Sequence, residues 1–382
     1  MRRKLVILTE IIAPYRIPVF NALARQAEID LHVMFLSETD PSLRQWRVYK
    51  EEIEFSYEVL SSWRRRLGKY NAMLNWGLGT ALRRASPNVI LCGGYNYLAS
   101  WHAMAWARRH GAPFLAWVES TSADLRRRRA LVESLKRNFM RRCDGFVVPG
   151  KSSTEYVRNY GVPEGKIFTA PNAVDVEFFG RRAAEVRKEG SIHRRTLSLS
   201  LPARFFLFVG RLVREKGVFD LLDAYGTLGA ELRSEIGLVF AGDGVARPEL
   251  ERRAARITPG AVHFAGFTQR EQLPSYYGLA EMLVFPTHSD TWGLVVNEAM
   301  ACGLPVITTS TAGCTADLVQ DGWNGRVVRA GDVGDLARAM REMATQPEVR
   351  TLMGQRSAER ILGYLPETCA SGIAQAVLGL SR

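Results

Sequence analysis
The chain of 382 residues, 47% hydrophobic and 24% charged, has the composition of a globular protein with ample core and the length of two domains, which excludes a disordered or fibrous chain. Net charge is +12, but residues 1–170 hold 27 Lys and Arg against 15 Asp and Glu while residues 171–382 hold 24 of each, so the first half carries the whole excess and should face something acidic. Five widely spaced cysteines with no C-x-x-C indicate a reduced, cytoplasmic protein without structural zinc.

The start, M-R-R-K-L-V-I-L-T-E, has an apolar run of four residues, too short for a signal peptide, and reads as a first strand at 4–9. Further strands follow at 31–36, 89–92, 113–118 and 146–148, with helices such as 17–26 and 98–110 between them. The semi-apolar run at 89–107 is broken by Gly93, Gly94, Asn96 and His102, so it is no transmembrane helix. Residues 172–203 are charged and carry Gly190 and Pro202, which reads as an irregular linker. A second set of strands lies at 205–209, 238–241, 262–264, 282–285, 305–308 and 326–328. Alternating strands and helices give an α/β fold of two doubly wound, Rossmann-like domains, 1–172 and 173–362. Such sheets bind ligands beyond the carboxyl ends of their strands, so the two domains would face one substrate pair across a cleft.

Two stretches of the second domain carry the chemistry. In G-R-L-V-R-E-K-G, residues 210–217, Gly210 ends a strand and Arg211 and Lys216 sit in the loop that opens the next helix. An Arg fork and a Lys point charge there can neutralise a diphosphate without a metal. In S-D-T-W-G-L-V-V-N-E-A-M-A-C-G-L-P-V-I, residues 289–307, Asp290 stands at a helix mouth and Glu298 lies two turns along on a similar side. The amides of Thr291, Trp292, Gly293 and Leu294 would point outward with the positive end of the helix dipole behind them, a site for an anion flanked by carboxylates that grip hydroxyl groups.

An acidic residue, seven residues, Glu298 and then A-M-A-C-G-x-P-V resembles the donor motif of retaining, nucleotide-sugar-dependent glycosyltransferases of family four, which have the GT-B fold. The family usually has Glu where this chain has Asp290. The resemblance covers most of the chain. It implies that Arg211 and Lys216 hold the donor pyrophosphate, that Glu298 holds the ribose diol and Asp290 the sugar hydroxyls, and that Phe267 and Thr268 of H-F-A-G-F-T, residues 263–268, meet the nucleobase. It further implies that a last helix within 363–382 packs back on the first domain.

On the acceptor side, the strand at 114–118 ends in Glu119, where many family members carry His; Glu119 can meet a sugar hydroxyl or the acceptor, orient a neighbour, or pair with a nearby arginine. The first loop, residues 10–16, departs from the family's glycine-rich version, and Tyr15 or Arg16 stands in its place. No histidine constellation suggests a metal, and no cofactor is expected.

Two other motifs compete. G-F-V-V-P-G-K-S, residues 145–152, matches the P-loop pattern of a nucleotide-dependent phosphotransferase, but a P-loop needs its first Gly after the strand and here 146–148 must be the strand. Arg126, Arg127, Arg128 and Arg129 lead into Lys136, Arg137, Arg141 and Arg142, with Leu131, Leu135 and Phe139 every four residues, an amphipathic cationic helix that is either a solvated face or a membrane-surface element. Trp63, beside Arg64, Arg65, Arg66 and Lys69, adds an aromatic and more charge. No helix-turn-helix, RNP or zinc-finger signature supports a nucleic-acid partner. The expectation is therefore a metal-independent, retaining hexosyltransferase with a nucleotide-sugar donor and a glycan, lipid-linked or small-molecule acceptor, cytoplasmic and peripheral on the inner face of the cytoplasmic membrane. A phosphotransferase, or a membrane or nucleic-acid binding module, is the alternative.

Overall fold
A computed structural model describes residues 2–40, 46–67, 70–123, 130–196, 201–257 and 259–380. The chain divides into two compact units, Met1–Val174 with Pro366–Arg382, and Asp175–Leu365. The first unit contains β1 (Arg3–Thr9), β2 (Ile29–Phe35), β3 (Ser56–Val59), β4 (Ser62–Leu67), β5 (Tyr70–Asn75), β6 (Val89–Gly93), β7 (Phe114–Trp117), β8 (Gly145–Val148) and β9 (Ile167–Thr169). Seven of these form one sheet in the order β3-β2-β1-β6-β7-β8-β9, all pairs parallel, while β4 and β5 form a separate antiparallel pair. The edge strands β3 and β9 are short and at best half-buried, so they lack the longer buried apolar run that marks β6 to β8.

The second unit holds β10 (Phe205–Val209), β11 (Gly237–Ala241), β12 (Val262–Gly266), β13 (Met282–Phe285), β14 (Val306–Thr309) and β15 (Gly325–Val328). They form a parallel sheet in the order β12-β11-β10-β13-β14-β15. β10 and β11 are buried along their whole length, as central strands covered by helices on both faces must be. Strand order reverses at β1/β6 in one unit and at β10/β13 in the other, and loops beyond the carboxyl ends at such a reversal are where open α/β sheets bind ligands.

The last helix, Pro366–Gly379, belongs to the first unit by its packing. Cys369, Ala370, Ile373, Ala374, Ala376 and Val377 are buried in one cluster with Leu5, Ile7, Phe20 and Leu23.

Two expectations need correction. Within the stretch 172–203, read as an irregular linker, a helix spans Val176–Thr196, broken at Gly190; residues 197–200 lie outside the described residues. Phe179, Ala183 and Val186 fall at helical spacing and are buried. Phe179 meets the ring of Tyr277 at 6.1 Å, so packing overrides the charged composition. The cationic helix begins at Ala130, spanning Ala130–Met140, and Arg126, Arg127, Arg128 and Arg129 lie outside the described residues. Of its apolar repeat Phe139 is buried, but Leu135 is 49% exposed, so the stripe does not run along the core.

Candidate functional site
In the second unit the loops after β10 and β13 flank the reversal of strand order and are bound to each other. The His288 amide and the Thr287 hydroxyl both donate to the Glu215 carbonyl, at 2.9 and 3.0 Å. His288 Nε2 lies 2.5 Å from Asp220 Oδ2. Gly217 has φ 67°, and a Cβ there would stand 1.9 Å from the Pro286 carbonyl oxygen, so only glycine lets the two loops approach this closely.

This clamp sets Lys216 against the second motif. Its ammonium donates to Asp290 Oδ2 at 2.5 Å and to the Ser289 carbonyl at 3.4 Å. The Trp292 amide donates to Asp290 Oδ1 at 3.2 Å. Both carboxylate oxygens are therefore engaged, and one of the four amides expected to face an anion is committed to Asp290 instead. Thr291 is exposed and Leu294 half-buried. Trp292 is buried, and its indole N–H donates to Asn297 Oδ1 at 2.8 Å, which fixes the turn into the helix Leu294–Ala301. Gly293 caps that helix at φ 101°, where a Cβ would come 2.8 Å from the Phe285 ring. Arg211 opens the loop that ends at Lys216 and Gly217; it is exposed, and its guanidinium has no hydrogen-bond or ion-pair partner among the described residues. Gly210, just before it, donates its amide to the Ala241 carbonyl at 3.1 Å.

Glu298 is half-buried on the same helix, and its Oε2 accepts a hydrogen bond from the Tyr277 hydroxyl at 2.7 Å. Burial pushes its carboxyl up from 4.5 to about 7, with the Tyr277 bond pulling the other way. Sequence reasoning misses Tyr277. It lies on another helix, Leu273–Leu279, with no local signal that it reaches across to Glu298. After β12, two strands from β10, Phe267 is 41% exposed and the Thr268 hydroxyl donates to the Gly266 carbonyl. Phe264 instead stacks on Phe240 at 5.2 Å.

In the first unit Glu119 follows β7. Its Oε1 accepts from Arg16 at 2.9 Å and from Asn172 Nδ2 at 2.8 Å. The Arg16 guanidinium lies 3.8 Å from the centre of the Trp117 ring. Burial works against the Arg16 charge, but Glu119 and its other neighbours outweigh this and leave the group above its usual value. Of the roles open to Glu119, pairing with an arginine is thus occupied on one oxygen, and Oε2 has no partner among the described residues. Trp63 is 45% exposed on β4. Arg64 does not join a surface charge with it: the side chain turns inward to Asp40 at 2.6 Å and Glu10 at 3.3 Å. Lys69 lies outside the described residues.

The P-loop match is not a phosphate loop. Gly145 to Val148 is the buried strand β8, paired with β7 and β9, and its backbone groups are committed to the sheet. Among the described residues no group of three or more His, Cys, Asp or Glu side chains could hold a metal ion, and no helix is long and apolar enough to cross a membrane.

Residues 192–360 match the model for glycosyl transferases group 1, and residues 20–178 that for glycosyltransferase family 4. The chain is similar to a D-inositol 3-phosphate glycosyltransferase of Streptomyces avermitilis, 32% identical over 59% of this chain and 49% of the relative. It is also similar to an alpha-D-kanosaminyltransferase of Streptomyces kanamyceticus, 32% identical over 46% of this chain and 44% of the relative. The chain spans about half the length of these relatives. Among solved structures, Anabaena HepE in complex with UDP and glucose superposes with a TM-score of 0.77 at 16% identity, over 99% of this chain and 100% of that one. Sucrose-phosphate synthase from Thermosynechococcus elongatus does so with a TM-score of 0.76 at 19% identity, over 98% of each chain.

Proposed function
The chain belongs to glycosyltransferase family four and has the GT-B fold, and from that premise we propose that it moves a hexose-type sugar from a nucleotide diphosphate to a glycan, lipid-linked or small-molecule acceptor, with retention at the anomeric carbon and without a metal. The observation that carries this reading is the clamp of two loops at the β10/β13 reversal, which sets Lys216 beside Asp290 and the amino end of the helix Leu294–Ala301 while Arg211 has no partner among the described residues. Those groups suit a diphosphate. UDP and glucose are ligands of HepE, and they make a UDP-sugar one donor to test here.

Transfer requires the bond from the anomeric carbon to the diphosphate to break while positive charge builds on the sugar ring. Arg211, Lys216 and the free amides at the helix mouth would stabilise the departing charge. The ribose diol would bind the ionised Glu298 carboxylate, and Phe267 and Thr268 the base. Asp290 would accept from sugar hydroxyls through the lone pairs that Lys216 and Trp292 leave over. With both its oxygens engaged it makes a poor nucleophile, which favours attack by the acceptor hydroxyl on the face the diphosphate leaves, its proton passing to the departing phosphate oxygen. Glu119, steadied by Arg16, would orient that hydroxyl through Oε2. We place the acceptor on the first unit, and the enzyme peripherally on the inner face of the cytoplasmic membrane, where the excess of basic residues meets anionic lipid.

Calorimetric titration with UDP, GDP, ADP and dTDP tests the donor reading. One of them should bind the parent protein and bind Arg211→Ala at least about tenfold more weakly. If none binds, the donor site is misassigned.

A further inference from the structure
The antiparallel pair β4–β5 has two unlike faces. On one, Met73 is 4% exposed, Arg64 reaches Asp40 and Glu10, and Asn75 Nδ2 donates to the Leu36 carbonyl at 2.7 Å. Glu10 and Leu36 directly follow β1 and β2, so this face sits over the carboxyl end of the sheet, the edge where such folds bind substrate. On the other face Trp63 stands directly opposite Leu74, and Trp76, two residues on, continues the ladder by donating its amide to the Ser61 carbonyl at 3.0 Å. Side chains alternate along a strand, so Trp63, Leu74 and Trp76 share this face, and Arg65 joins them. The three apolar side chains are 45%, 42% and 56% exposed. Arg65 is exposed too and has no ion-pair partner among the described residues.

We infer that this face of β4–β5 is where the protein seats on an anionic lipid surface, beside the edge at which an acceptor would enter. A sheet face with three large apolar side chains in register is uncommon unless something covers it. Tryptophan suits the boundary between headgroups and acyl chains because its ring is apolar and its N–H polar, and arginine suits anionic headgroups. The unit's charge points the same way: Met1–Val174 with Pro366–Arg382 holds 28 Lys and Arg against 16 Asp and Glu, a balance of +12, whereas Asp175–Leu365 holds 23 of each. A second copy of the chain is the weaker occupant, since a stable dimer buries on the order of 800 Å² per partner, more than three half-exposed side chains supply. The inference deepens the membrane part of the proposed function and does not use the donor site.

The experiment is co-sedimentation of the full chain with vesicles of phosphatidylcholine alone and of phosphatidylcholine with phosphatidylglycerol, at low and high salt. W63S/W76S and Arg65→Ser are compared with the parent, and nucleoside diphosphate binding serves as the control for folding. The parent should partition onto the anionic vesicles at low salt and leave them at high salt. W63S/W76S should bind at least about tenfold more weakly and Arg65→Ser about fivefold, with nucleotide binding intact in both. If the parent binds anionic vesicles and both variants bind equally well, the face is not the contact and the membrane reading stands on other cations. If the parent ignores anionic vesicles, the inference and the membrane reading both fall while the donor reading is untouched. A parent that sediments as a dimer and a W63S/W76S variant that sediments as a monomer would assign the face to a second copy and overturn the inference.

Discussion

The carboxyl edges of the two sheets differ in how their charges are committed. The first unit carries the +12, yet at its edge Arg16 is held by Glu119, and Arg64 by Asp40 and Glu10. The second unit is balanced, yet at its edge Arg211 has no partner among the described residues and Lys216 has a single carboxylate, beside the amino end of a helix. Net charge therefore says little about where a small anion binds. An uncompensated cation next to free helix amides says much more, because both act over a few ångströms while distant charges are screened. The first edge, with its cations paired and carboxylates held in place, suits neutral hydroxyl groups; the second suits a diphosphate.

The strongest way to break this contrast is to remove Arg211. Arg211→Ala should lower kcat/KM for the nucleotide sugar about 30- to 1,000-fold, equivalent to about 2 to 4 kcal/mol of lost stabilisation of the leaving group. Since Arg211 is exposed and unpaired among the described residues, the thermal midpoint should hardly move. Turnover near that of the parent would mean that the second edge is no more an anion site than the first. On the other edge, Glu119→Gln keeps an acceptor for Arg16 and Asn172 but removes the charge, and should raise the acceptor KM about tenfold while leaving nucleoside diphosphate affinity unchanged. Steady-state kinetics at saturating donor reads the first effect and calorimetry the second. A loss of nucleotide affinity in this variant would contradict the division of labour between the edges.

The same contrast explains what could be read from sequence. The proposed anion site lies in two contiguous stretches, 210–217 and 289–307, whose glycines, cations and carboxylates keep fixed spacing, so its parts are visible in order. Most strands of both sheets are legible for a related reason, since β6, β7, β10, β11 and β13 are unbroken apolar runs, whereas the short, half-exposed edge strands β3 and β9 are missed. What was not legible depends on distant contacts. Tyr277 meets Glu298 across 21 residues and Arg16 meets Glu119 across 103, and nothing local announces either pair. Arg64 looked like surface charge because its neighbours are arginines, and only the fold turns it toward Asp40. The helix Val176–Thr196 is hidden by its charges because few apolar residues, among them Val176, Phe179, Ala183 and Val186, form its buried face.

Glu298 sharpens the comparison through pH. Its carboxyl is raised to about 7 by burial. If the ionised form accepts the ribose diol, nucleoside diphosphate affinity should climb as pH rises through about 7 and level off above it, and in Glu298→Gln that dependence should vanish. At pH 8 the variant should bind about fivefold more weakly, the loss of one hydrogen bond to a charged acceptor. Stability moves the opposite way. A carboxyl raised in the folded state holds a proton that the unfolded chain releases, so its contribution is complete below about 4.5 and lost as pH passes about 7. Glu298→Gln should therefore melt higher than the parent at pH 8 and at about the same temperature at pH 4, by calorimetric scanning. Equal pH profiles for binding in the two proteins would remove Glu298 from the nucleoside contact.

The smallest expected effect is also the most direct probe of the second edge, because Asp290 is the one feature there that resembles the first. Its carboxylate takes the Lys216 ammonium on one oxygen and the Trp292 amide on the other, the same two kinds of donor that a diphosphate would use. Asp290→Asn preserves the shape and an oxygen for the Trp292 amide, but releases Lys216 and removes a negative charge from beside the incoming phosphates. A partly exposed charge of this kind is worth about 0.5 to 1 kcal/mol, so nucleoside diphosphate should bind about two- to fivefold more tightly by calorimetry. Transfer should slow in the same variant, because the sugar hydroxyls lose their charged acceptor. Tighter product and slower turnover together would mean that Asp290 competes with the diphosphate for Lys216 and serves the sugar. Weaker binding would mean instead that Asp290 aims Lys216 at the phosphates, and both edges would then work through paired charges.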